Sequence, residues 1–104
     1  GNHAVKLAKV LGTLVATERD DKLEGLRFLV LGVWDHNNEP AGGSVVAVDA
    51  VGAGVGEMVL FASGSSARQT RRTDNRPVDA VVMAIVDSWE IEGDEIYRKG
   101  VTDA

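Results

Sequence analysis

Cysteine is absent from this 104-residue chain. That excludes a disulfide framework, an iron–sulfur cluster and any thiolate zinc site. Histidine is nearly absent: His3 lies in the first residues and His36 among turn formers. A serine hydrolase would have little choice of base, and no spacing of imidazoles suggests a metal. Basic residues are outnumbered, with 11 Lys and Arg against 16 Asp and Glu, a net charge of −5. An acidic chain is a poor partner for nucleic acid, which is normally met by a basic face. No apolar run approaches the ~18 residues of a membrane span, and no signal-peptide pattern is visible. Neither a membrane nor a nucleic acid is therefore expected as partner. The lack of cysteine suits a cytosolic setting. Proline occurs only twice, which leaves long stretches free to pair as sheet.

What the chain has is valine, glycine and alternation. Its apolar residues are largely β-branched, which suits pleated sheet. Residues 1–5 are expected to be a foreign or disordered lead, 6–91 a single domain, and 92–104 an acidic tail adding at most a short strand or helix. The first strand is predicted from Lys6 to Glu18, with Ala8, Val10, Gly12 and Leu14 on one face and a bulge or bend at Gly12. Later strands are predicted at Leu26–Asp35, Ser44–Val51, Glu57–Ser63 and Ala80–Ile91. The turn-rich stretch 36–43 reads as a hairpin loop, and 64–79 as a long polar segment. Five strands with an excursion before the last suit an all-β fold, a small OB-like barrel. A β-sandwich is the alternative.

Strands two to five carry apolar residues on both faces. A small barrel fills its interior with one face and ordinarily wets the other. Broad apolar patches mark interaction surfaces, so a homo-oligomer is expected. The alternative is that 64–79 and the tail cover the second face.

The stretch Val51-Gly52-Ala53-Gly54-Val55-Gly56-Glu57 looks at first like half of a nucleotide fingerprint. Its spacing is Gly-x-Gly-x-Gly. A strand is predicted after it, where a dinucleotide site needs a helix. Glu57 would repel phosphate, and no P-loop lysine is present. No cofactor is expected. Glycines here read as positive-φ residues that let backbones approach closely, as copies crowding around a symmetry axis would require. The loop Ser63-Gly64-Ser65-Ser66-Ala67-Arg68 lacks the second glycine and the base of a nucleophile elbow, and its hydroxyls read as partners of loop amides. Asp49 and Asp87 each interrupt an apolar strand. A buried carboxylate needs partners, so both read as structural hydrogen-bonders or interface ion-pair residues; catalysis by either is the weaker reading. Arg68, Arg71, Arg72 and Arg76 form a basic segment. An OB barrel could use such a loop on single-stranded nucleic acid, but no aromatic lies within it to stack a base. Pairing with acidic positions of a neighbouring copy, Asp87, Glu90 or Glu92, is preferred.

Taken in order, several pieces resemble one family. They are Lys9-Val10-x-Gly12-Thr13-x-Val15-Ala16-Thr17, Leu23-x-Gly25, and Ala47-x-Asp49-x-Val51 running through Glu57. Gly64-Ser65-Ser66-Ala67-Arg68-Gln69 and Pro77-Val78-Asp79-Ala80 follow, leading into Ile85-Val86-Asp87. The set is similar to the bacterial microcompartment vertex proteins of carboxysomes and ethanolamine-type metabolosomes. The resemblance implies an OB-like barrel assembling as a cyclic homo-pentamer. It further implies a structural part without enzymatic activity, closing the fivefold vertices of a cytoplasmic protein shell beside hexameric shell proteins. It also implies that the loops 51–57 and 63–68 lie at subunit contacts or around the central axis.

Overall fold

The computed structural model describes residues 5–15, 25–63 and 80–101. Seven strands occur among them: β1 (Val5–Leu14), β2 (Phe28–Trp34), β3 (Pro40–Asp49), β4 (Met58–Ser63), β5 (Ala80–Ile85), β6 (Ser88–Ile91) and β7 (Asp94–Arg98). The first five close into a barrel in the order β1-β2-β3-β5-β4, and β6 and β7 form a separate hairpin. All barrel pairings are antiparallel except β3 with β5. The five-stranded barrel expected from the sequence is present, here fully closed, and its order is compatible with the OB type.

Alternation decides which side chains go inside. Leu29 pairs with Ala47 and Leu31 with Val45, and this inward row joins Val10, Val59, Phe61 and Val82 in the main core. Burying each large aliphatic side chain contributes about 1.5–3 kcal/mol. The outward row forms a second, smaller cluster of Leu26, Val48, Ala62 and Val81, with Phe28 and Ala50 packed against it. The two-faced apolar pattern is thus partly resolved within the chain.

Closure requires strands to coil, and bulges supply the coiling. One falls in β1 between Val10 and Gly12, as Gly12 suggested, with Leu11 the extra residue. Another sets Met83 of β5 opposite the step from Leu60 to Phe61. A third explains a misread boundary. The third strand begins at Pro40, not Ser44, because Gly42 and Gly43 adopt φ of +89° and +86° inside an irregular stretch of β3 that still pairs with β2. Turn-forming residues there build a bulged strand rather than a loop.

The predicted fifth strand, Ala80–Ile91, is two strands. It breaks after Ile85, where Val86 N–H donates to the Met58 carbonyl at 2.8 Å. β6 then leaves the barrel and pairs with β7, so the expected tail contributes a full strand. Glu92 and Gly93 join β6 to β7, both at positive φ (52° and 87°), as the two-residue hairpin turn of primed type demands. On one face Trp89 stacks on Tyr97, with ring centroids 4.8 Å apart, while Glu90 and Glu95 pair across the hairpin one step on. The Trp89 indole donates to the His36 carbonyl at 2.9 Å, fastening the hairpin to the β2–β3 turn.

Candidate functional site

β3 and β4 are not neighbours; β5 lies between them. The connection 50–57 must therefore cross one mouth of the barrel. Ala53, at its middle, is completely buried and belongs to the main core. A glycine-rich segment can lie across the mouth because little side chain has to be accommodated.

The loop is held from both sides. On one, the Asp49 carboxylate accepts from the amides of Val51 and Gly52 at 3.0 Å and of Ala53 at 3.3 Å. Its second oxygen accepts from Arg27, whose guanidinium also donates to the Ala53 carbonyl at 3.0 Å. The Asp49 side chain is 2% exposed and that of Arg27 47%. The carboxylate is therefore desolvated but paired, as a buried charge has to be. Sheet register explains the pairing: Phe28 lies opposite Val48, and Asp49 N–H donates to the Arg27 carbonyl at 2.8 Å. Asp49 is thus a structural hydrogen-bonder, and its described partners lie in its own chain. Arg27 was not singled out in the sequence; an arginine at the start of an apolar strand was visible there, but its pairing with Asp49 depends on the β2–β3 register.

On the other side, a turn closes with Glu57 N–H donating to the Gly54 carbonyl at 3.1 Å. Gly56, its third residue, has φ of +93°, a conformation that favours glycine. Gly56 N–H donates to the Val10 carbonyl at 2.8 Å, and Val10 N–H to the Glu57 carbonyl at 2.9 Å, stitching the loop to β1. The Glu57 carboxylate accepts from Gly54 N–H and from the Lys99 ammonium beyond β7. Lys99 N–H in turn donates to the Asp87 carbonyl at 2.8 Å. The glycine loop and the C-terminal hairpin are thereby joined.

Lys99, and next Gly54, hold the Glu57 carboxyl below its ordinary value of 4.5. A depressed carboxyl stabilises the fold above the unfolded-state value and loses that contribution as pH falls through the lower folded one. Stability should therefore decline below about pH 4.5 more steeply in the wild type than in Glu57→Gln. The difference should stay below about 1 kcal/mol, because the pair is partly solvated. Urea midpoints measured from pH 3 to pH 6, roughly spanning that titration, would check this; parallel profiles would refute it.

The other predicted positions are scattered. Val51 and Val55 are exposed on the loop. Ser63 ends β4 opposite Ala80, and Asp87 is exposed where β5 gives way to β6. Gly64, Ser65, Ser66, Ala67, Arg68, Arg71, Arg72 and Arg76 lie outside the described residues. Met58–Ser63, following the loop, is strand, so no helix N-terminus faces it. Among the described residues, no three His, Asp or Glu side chains converge as a metal would need.

The fold is a small closed-barrel module with one mouth roofed by a glycine loop, which the Asp49–Arg27 and Glu57–Lys99 pairs tie down. The chain belongs to the family described as ethanolamine utilisation protein EutN/carboxysome, whose model matches residues 5–87. It is 43% identical over 95 residues to the carboxysome shell vertex protein CcmL of Synechococcus elongatus, covering 91% of this chain and 96% of that one. Among solved structures it is similar to CcmL of Gloeobacter violaceus, with a TM-score of 0.86, 39% identity and coverage of 90% and 97% of the two chains. It is also similar to the GrpN pentameric microcompartment shell protein of Rhodospirillum rubrum, with a TM-score of 0.75, 42% identity and coverage of 83% and 98%.

Proposed function

We propose that this chain is a structural, non-catalytic part of a bacterial microcompartment shell in the cytoplasm. It assembles as a cyclic homo-pentamer, closes the fivefold vertices and meets hexameric shell proteins at its rim. The observation that carries this reading is the combination of a 42%-identical pentameric relative with a barrel whose outer surface keeps Leu11, Val46 and Met83 about half exposed. Apolar residues so placed on paired strands are suited to cover by further copies.

Nucleic acid is not expected as a partner. The two tryptophan indoles are engaged within the chain, Trp34 with Asn38 and Trp89 with His36. Phe61 and Tyr97 are buried. The rings that a single strand would stack on are thus largely committed.

Native mass spectrometry should give an assembly of five 11.0 kDa chains. A monomer at micromolar concentration would overturn the proposal.

A further inference from the structure

We infer that the ring closes head to tail through two separate outer faces of the barrel. The face around Leu11, Val30 and Val46 on one copy meets the face around Leu60, Met83 and Ala84 on the next. The inference rests on the pentameric reading and says which surfaces produce it.

A ring of five cannot be made by one self-complementary patch, because such a contact ends at a dimer. Each copy needs two different patches that fit one another. They must also sit apart around the barrel, so that a neighbour can attach on either side. The strand order β1-β2-β3-β5-β4 meets that condition. The first face centres on β2 and the second on the β4–β5 pair, which is across the barrel from it.

Register shows that both faces point outward. Leu29 and Leu31 point into the core, so Val30 between them points out, opposite Val46 of β3. Val46 is 47% and Leu11 52% exposed. Leu11 is the extra residue of the β1 bulge, and it lies across Gly32: a Cβ built there would meet its Cδ1 at 3.0 Å. Glycine at that position lets the leucine lie low, so the face stays even. On the other side, Val59 and Phe61 point in, and Leu60 points out, opposite Ala84. Met83 is extruded by the β5 bulge and is 45% exposed.

No side chain named on either face is charged. Among the described residues, Lys9 stands opposite Gly32, and its ammonium is 5.2 Å from the Trp34 ring centroid, at the edge of the first face. An apolar contact with a charge only at its rim is the usual make-up of a stable interface.

Two arginine variants test the pairing: Val46→Arg on the first face and Met83→Arg on the second. Both positions are about half exposed, so circular dichroism and thermal unfolding should show folded chains. Leu11→Arg and Met83→Glu substitute if either fails to fold. Native mass spectrometry of each variant alone should show loss of the pentamer. Mixed in equal amounts at high concentration, the two should form a one-to-one dimer and nothing larger, since each supplies the face the other lacks. Pentamers from either variant alone, or a mixture that stays monomeric, would overturn the inference while a wild-type pentamer left the proposed function standing. A monomeric wild type would overturn both.

Discussion

Asp49→Ala is expected to destabilise the folded chain by about 3 kcal/mol, near the lower end for breaking a buried pair. Two losses add. Three loop amides, those of Val51, Gly52 and Ala53, lose their acceptor, and donors bonded to a charged acceptor are the costlier ones to orphan. Arg27 also loses its partner. Its side chain is 47% exposed, so water recovers part of that loss and keeps the total below the extreme. Against a typical stability of about 5–15 kcal/mol for a single domain, the effect is large. Asp49→Asn should cost roughly half as much, because an amide oxygen still accepts from the loop while the charge pairing is gone. Urea denaturation supplies both values, and hydrogen exchange at the Val51–Ala53 amides should accelerate with them. An Asp49→Ala chain within about 0.5 kcal/mol of wild type, the range of ordinary surface substitutions, would show that the loop is held by other means.

That same aspartate shows how far residue patterns reach. A carboxylate inside an apolar strand had to be paired, and it is. Finding Arg27 required register, because the two residues are 22 positions apart and meet only when β2 and β3 align. The barrel strands were legible from alternation, and the β1 bulge from Gly12. Two boundaries were not. Gly42 and Gly43 carry the chemistry of a turn, yet β3 uses their positive φ for a bulge while keeping its pairing. Ala80–Ile91 reads as one apolar run, yet β5 and β6 belong to different sheets. The one local mark, Asp87, reads equally as an interruption within a single strand; what fixes the break is Val86 held by Met58, a contact created by closure itself. The C-terminal hairpin was hidden for a related reason. Its acidic residues suggest a solvated tail, whereas the face that fixes it consists of Trp89, Tyr97 and a hydrogen bond to His36.

The glycine loop was expected to crowd against its copies, and the structure shows it crossing the barrel mouth with Ala53 buried beneath it. One substitution separates these roles. Gly54→Val is expected to leave the single chain folded and to abolish the pentamer. Gly54 does not sit in the positive-φ region, and a Cβ there meets only Glu57 Oε1 at 3.4 Å, an ordinary contact. The fold should therefore lose less than about 1 kcal/mol, since no backbone strain applies and the β-carbon makes an ordinary contact. Gly52 and Gly56 differ: at φ of +79° and +93°, alanine at either should cost the single chain about 1–2 kcal/mol through backbone strain. Assembly raises apparent stability by mass action, so unfolding has to be compared at dilutions where wild type and variant are both monomeric. Native mass spectrometry then reads the ring directly at high concentration. A Gly54→Val chain that folds and still forms pentamers would mean that this glycine serves the mouth of its own barrel and touches no neighbour. A folded monomer would mean that the space beside Gly54, open in one chain, is filled by the next.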